Sequence, residues 1–282
     1  MTYALDLKNV SKQYENFTLD NIHLQLPRGC IMGLIGENGA GKSTIIKLLL
    51  NLCRRDGGEI NVLGIPAEVF AAERSAAIGV VMDECNIPDM LTAQQVNRIM
   101  QEIYPNWQAD TFRNLTIQFG LPERAKIKTY SRGMKMKLSI AVALSHNAQL
   151  LILDEATSGL DPVVRDEILD LFLDFMQDEN HAILMASHIT SDLEKVCDYI
   201  TYIHKGHIEL SMEKDRLLEE YAVFQGSEEQ LQTVAPEAIL RVRRHQFGVE
   251  ALVKRELVNE AFSLERPTLE GIMLFFNKGT QQ

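Results

Sequence analysis

The run GENGAGKST, Gly36 to Thr44, packs three glycines, an alanine, a lysine and a serine–threonine pair into nine residues. It matches the phosphate-binding pattern G-x-x-x-x-G-K-[ST]. Small residues let the backbone N–H groups of Asn38 through Lys42 wrap phosphates. Lys42 supplies a point charge against the β- and γ-phosphates. Ser43 offers a hydroxyl to Mg²⁺, and Thr44 reaches the α-phosphate. The apolar run IMGLI precedes the loop and the helical run TIIKLLL follows it. A glycine turn before an ordinary helix is the plainer explanation, and the joint presence of glycines, lysine and serine between strand and helix leaves it little weight. Gly36, Glu37, Asn38, Gly39, Ala40, Gly41, Lys42, Ser43 and Thr44 are therefore candidate nucleotide-binding residues.

A second stretch, QLLILDEATSGLD, Gln149 to Asp161, is an apolar strand ending on two acids. Asp154 has the chemistry to hold Mg²⁺, and Glu155 to orient an attacking water or take its proton. Two acids at the solvent end of a strand have a trivial explanation when seen alone. Downstream of a phosphate-binding loop in an α/β pattern, that explanation weakens. A third strand, ILMASH, ends on His188, which points into the crevice where such sheets bind ligands. A lone histidine is more often packed under a loop. The stretch TYSRGMKMKLSIAVAL, Thr129 to Leu144, crowds Arg132, Lys135 and Lys137 at a helix start. Helix N-termini already attract anions, so a negative group is expected there.

These residues need elements to hold them. ALDLKNVSKQY and FTLDNIHLQLP read as strands, the second alternating around Ile22, Leu24 and Leu26. RGCIMGLIG reads as a buried strand, STIIKLLLNLC as a helix and GEINVLGIP as a strand and turn. From about Ala71 to about His146 apolar residues recur at three- and four-residue spacing, which predicts a mostly helical insertion. Then follow strand QLLILDE, helix PVVRDEILDLFLDFMQDE, strand HAILMASH, helix SDLEKVCDYI and hairpin YIHKGHIEL. Alternating strands and helices predict a parallel α/β core. After about Met212 short strands and a final amphipathic helix, PTLEGIMLFFNKG, predict a small α+β appendage. No internal repeat or low-complexity segment is seen.

With 282 residues and 46% hydrophobic content, the chain has ample length for a large core. A net charge of −11 argues against sequence-independent nucleic-acid binding, but not against a local phosphate pocket. Cys30, Cys53, Cys85 and Cys197 form no CxxC pair, so zinc and a disulfide framework are not expected, and a reducing cytoplasm fits. The opening MTYALDLKNV carries no secretory signal pattern. No apolar run is long enough to span a bilayer.

The order of these parts resembles the ATP-binding subunit of ATP-binding cassette (ABC) transporters, over about Tyr3 to Glu209, and in particular those of bacterial drug and antimicrobial-peptide exporters. That resemblance implies a P-loop NTPase fold of the ABC ATPase type, with an antiparallel β subdomain, a helical subdomain at about 85–146 and an ATP-binding domain over 1–212. Residues 213–282 would be an accessory or regulatory domain. It implies that Tyr14 stacks on adenine and that Glu155 is the catalytic glutamate, working with Lys42 and the switch histidine His188. Ser158, Gly159, Leu160 and Asp161 would communicate across a dimer. Two subunits would sandwich two ATP molecules, with Ser131, Arg132 and Gly133 facing the partner's ATP. Mg²⁺ would be held by Ser43, Asp154 and Asp83. A separate integral membrane permease would be the further partner, and would place the chain peripherally on the inner face of the cell membrane.

Two departures stand out. The family's LSGGQ signature is Tyr130-Ser131-Arg132-Gly133-Met134 here, and Asp83 stands where a glutamine is usual. Ser131 and Gly133 keep a hydroxyl and an N–H for a γ-phosphate, while Arg132 adds charge and bulk. Asp83 cannot donate a hydrogen bond while ionised. The leading expectation is an ATPase powering an exporter. The alternatives are a nucleic-acid or ribosome-linked ATP switch, disfavoured by a single cassette, a short helical insertion and acidic charge, and a weakly hydrolysing half of a heterodimer. The basic run Arg241 to His245 is expected to be a solvated strand edge.

Overall fold

The computed structural model describes residues 2–69, 72–246, 248–259 and 262–280. Strands β1 (Tyr3–Tyr14) and β2 (Phe17–Pro27) open the chain and lead into β3 (Ile31–Ile35) and helix α1 (Lys42–Leu49). Next come β4 (Gly57–Val62), β5 (Ile65–Pro66), α2 (Ala72–Ala76) and β6 (Ile78–Val81). Helices α3 (Ala93–Ile103), α4 (Ala109–Gln118) and α5 (Arg132–Leu144) make the helical insertion. The chain returns through β7 (Leu150–Asp154), α6 (Pro162–Phe175), β8 (Ala182–Ala186), α7 (Thr190–Val196), β9 (Tyr199–His204) and β10 (His207–Glu213). The last segment holds α8 (Lys214–Glu220), β11 (Tyr221–Gly226), α9 (Glu228–Leu231), β12 (Ile239–His245), β13 (Gly248–Lys254), β14 (Leu264–Glu265) and α10 (Leu269–Lys278).

Three sheets result. β2-β1-β4-β5 is antiparallel, β10-β9-β3-β8-β7-β6 is the central sheet, and β12-β13-β11-β14 lies at the C-terminal end. In the central sheet β6, β7, β8, β3 and β9 run parallel, and β10 adds antiparallel at one edge. β3, β7 and β8 are buried at every position. That is why they are continuous runs of Ile, Leu, Met and Ala rather than alternating ones. β2 instead alternates buried and exposed over its second half, as a strand with one wet face must.

The apolar core divides along the two faces of the central sheet. One cluster joins Val81, Leu151, Leu153, Ile183 and Met185 to the helical insertion through Phe112, Ile127 and Leu138. The same cluster takes in Leu269, Ile272, Phe275 and Phe276 of α10, so the last helix is packed into the main body. The other cluster joins Leu34, Ile152 and Leu184 to α1 and to the β1–β2 sheet. A third, around Phe224, Val242 and Val253, belongs to the C-terminal sheet.

Four local features differ from the sequence reading. The stretch expected to be mostly helical contains the strand β6, whose four residues are too few for a period to register. The helix expected over SDLEKVCDYI ends at Val196, and Tyr199 and Ile200 already belong to β9. GEINVLGIP divides into two short antiparallel strands. The arginines of β12 are engaged rather than merely solvated. Arg241 pairs with Glu209 at 2.8 Å, Arg243 with Glu250 at 3.4 Å and Arg244 with Glu228 at 2.9 Å. β12 is a sheet edge as expected, and Val242 there pairs with Thr280 near the chain's end.

Candidate functional site

The site is built where β3, β7 and β8 end together. β3 runs into the glycine-rich loop, β7 ends on Asp154, and Ser187 and His188 follow β8. Register brings Leu34 beside Ala186, and Asp154 beside the same Ala186. The loop's shape depends on missing side chains. Gly41 sits at φ +121, a backbone conformation that other residues avoid. A Cβ on Gly36 would collide with the carbonyl of Ile203.

Lys42 opens α1 with its side chain buried. Its Nζ donates to the carbonyls of Gly36 at 2.6 Å and Glu37 at 3.2 Å. Burial lowers its pKa, while Glu155 and Asp154 pull it back up. Ser43 Oγ donates to Asp154 Oδ2 at 3.2 Å. Burial holds the Asp154 carboxyl above the usual carboxylate range, opposed by the Ser43 bond and reinforced by Glu155 and Asp83. Glu155 takes φ +53, a strained choice for a residue with a Cβ. His188 Nδ1 lies 2.7 Å from Glu155 Oε2.

Lys42, Ser43, Asp154 and Glu155 face one cleft of about 550 Å³, and His188 reaches it only through Glu155. Its walls include Glu37, Asn38, Gly39, Gly41, Lys42, Ser43, Thr44, Asp83, Asp154 and Glu155. Gly36 and Ala40 stand behind them and shape the loop. Asn16 and Phe17 also line the cleft, which the sequence reading missed. Tyr14 does not line it. It is 42% exposed at the end of β1, opposite Phe17 across the hairpin, with Lys12 Nζ 5.5 Å from its ring centre. The sequence signal for Phe17 was an aromatic directly after the tight turn Glu15-Asn16.

The helix α5 begins at the crowded basic stretch. Ser131 caps it, its Oγ accepting from the Met134 N–H at 3.2 Å. The three basic side chains find partners inside the chain. Arg132 pairs with Asp83 at 2.6 Å and Lys135 with Asp89 at 2.6 Å, while Lys137 stands 5.5 Å from the Phe119 ring centre. Two of the three are thus paired with aspartates of their own chain. Asp83, expected near Mg²⁺, lines the cleft and is bound to Arg132 at once. The SGLD loop packs beside the same helix start. Leu160 is buried, Asp161 caps α6 by accepting from the Val164 N–H at 3.1 Å, and Ser158 N–H donates to the Glu155 carbonyl at 3.0 Å.

A glycine-rich loop after β3, paired acids at the end of β7 and a histidine just past β8, the strand between them, make up an α/β site of the kind that nucleotide-hydrolysing cassettes carry. A family model described as "ABC transporter" matches residues 19–158. The bacitracin transport ATP-binding protein BcrA of Enterococcus faecalis is 32% identical over 211 residues, covering 74% of this chain and 68% of that protein. The lantibiotic transport ATP-binding protein SrtF of Streptococcus pyogenes is 33% identical over 213 residues, covering 75% and 91%. A solved ATP-binding subunit of an ABC transporter superposes with a TM-score of 0.70 at 25% identity, covering 77% of this chain and 92% of that one. The chain belongs to the ABC transporter family, as an ATP-binding and ATP-hydrolysing subunit. Among the described residues no helix is long and apolar enough to cross a membrane.

Proposed function

We propose that this chain hydrolyses Mg²⁺-ATP to drive an exporter whose membrane-spanning part is a separate permease. The observation that carries the reading is the meeting of Lys42, Ser43, Asp154 and Glu155 in one cleft, with His188 on Glu155. The oxygen donors Ser43 and Asp154 suit Mg²⁺, which takes few protein ligands and fills its shell with phosphate and water. When bound, the ion neutralises charge on the β- and γ-phosphates. Lys42 exchanges its two loop carbonyls for phosphate oxygens. Glu155 orients the attacking water and receives its proton, and His188 holds Glu155 in line. Phe17 and Tyr14 flank the hairpin where a base would rest.

Two such chains would close on two nucleotides, each presenting Ser131 and Gly133 to the other's γ-phosphate and Ser158 to Asp161 to the other's cleft. Relatives named for bacitracin and lantibiotic transport support export of peptide-like antimicrobials as the cargo class. The helical insertion exposes Met90, Ile99 and Ile103, apolar side chains suited to a permease contact. Work at the inner membrane face follows from that contact.

The experiment is co-expression with a candidate permease, followed by ATPase assay of the complex in vesicles. Cargo-stimulated hydrolysis is the expected result. A chain that sediments with ribosomes and ignores every permease would contradict the reading.

A further inference from the structure

The nucleotide cleft is lined by more acids than cations. Among the described residues, Glu37, Asp83, Asp154 and Glu155 line it against one cation, Lys42. Asp154 holds the Ser43 hydroxyl and Glu155 has His188 beside it. Asp83 is the acid with a full countercharge of its own. Arg132 Nη2 donates to Asp83 Oδ1 at 2.6 Å.

That contact is supported from two further sides. The Arg132 guanidinium lies against Gly159, its carbon 3.5 Å from where a Cβ would stand. One turn on, Lys135 binds Asp89 at 2.6 Å. The backbone reinforces the link, because Lys128 N–H donates to the Asp89 carbonyl at 2.9 Å. The first turn of α5 is therefore fastened to the 83–89 loop at two side-chain pairs, and the loop begins at the cleft wall.

We propose that Arg132 is a positioning residue for its own chain's nucleotide: it pairs with Asp83 beside the cleft, offsets that carboxylate's repulsion of the phosphates, and so ties the start of α5 to the phosphate site. This rests on the ATPase reading above and adds an intrachain role for a side chain otherwise expected to face a partner. Both side chains are about half exposed. An exposed pair is loose enough to exchange when the cleft fills, so the tie is a reversible one.

The test is a double-mutant cycle read by binding of a fluorescent ATP analogue, with Mg²⁺ and with chelator. The proteins are the parent, Arg132→Gln, Asp83→Asn, the double variant and Arg132→Lys. Arg132→Gln should weaken analogue binding about threefold at low salt, more in chelator than with Mg²⁺. Arg132→Lys should stay near the parent. In the Asp83→Asn background, Arg132→Gln should cost nothing further, a rescue that misfolding cannot produce. An equal cost in both backgrounds overturns the proposal and assigns Arg132 to a phosphate directly. No cost in either also overturns it. Failure of the parent to bind the analogue would overturn the ATPase reading itself, and this inference with it.

Discussion

Asp154 shows what the site costs the fold. Its carboxyl is 7% exposed, and burial raises its pKa above the ordinary value, helped by Glu155 and Asp83. A carboxyl with a raised folded pKa lends stability below the unfolded value of about 3.8 and loses it as pH climbs through the folded value. Above that window the charge on Asp154 costs stability. Asp154→Asn should raise the melting temperature of the nucleotide-free protein by about 2–4 °C. The same change should shrink the extra rise given by ATP with Mg²⁺. Differential scanning fluorimetry reads both, and a lower nucleotide-free midpoint would count against the account. Lys42→Ala should weaken ATP binding about tenfold to hundredfold by removing charge-assisted hydrogen bonds, as titration calorimetry would measure. The glycine-rich loop between β3 and α1 was legible because its residues are contiguous. The Asp83–Arg132 pair was not, because 49 residues separate its members and nothing in either segment names the other. The strained φ of Glu155 is likewise set by tertiary packing.

Among the elements, long periodic segments were legible and short ones were not. α10 was expected from PTLEGIMLFFNKG, and Thr268 caps it by accepting from the Gly271 N–H at 3.0 Å. What the pattern could not show is where its apolar face goes. Its first N–H groups include Leu269 N–H, which donates to Glu194 Oε1 of α7 at 2.7 Å. At its other end Asn277 accepts from the Tyr202 hydroxyl of β9, and the Phe276 ring lies 5.0 Å from that of Tyr202. α10 thus bridges the helix that follows His188 and the strand that supports the glycine-rich loop. Phe275 is 2% exposed there, so Phe275→Ala should destabilise the protein by about 3–5 kcal/mol in urea unfolding. On α3, Ile103→Glu should abolish permease co-purification while leaving ATP affinity unchanged. Equal loss of both would make Ile103 structural.

For the whole molecule, the sequence reading separated an ATP-binding domain at 1–212 from an accessory region at 213–282. The C-terminal sheet has its own apolar cluster, yet α10 shares the core of the main body. Arg241 of β12 also reaches Glu209 of β10. That shared core predicts one cooperative unfolding transition by calorimetry, and two resolved transitions would contradict it. It also makes removal of the last segment a poor probe of its role, because α10 leaves an uncovered apolar face behind. Point changes at Asn277 or Glu194 are the better probes.

The central claim is that Glu155, on a strained bend beside His188, is the group that makes water attack the bound nucleotide. The direct measurement is Mg²⁺-dependent phosphate release by the purified chain over a series of protein concentrations, beside Glu155→Gln. The parent should release phosphate with specific activity that rises with protein concentration, as the proposed closure of two chains requires. Glu155→Gln should bind ATP as tightly and release phosphate at least about a hundredfold more slowly. Release by Glu155→Gln at the parent rate would contradict the account.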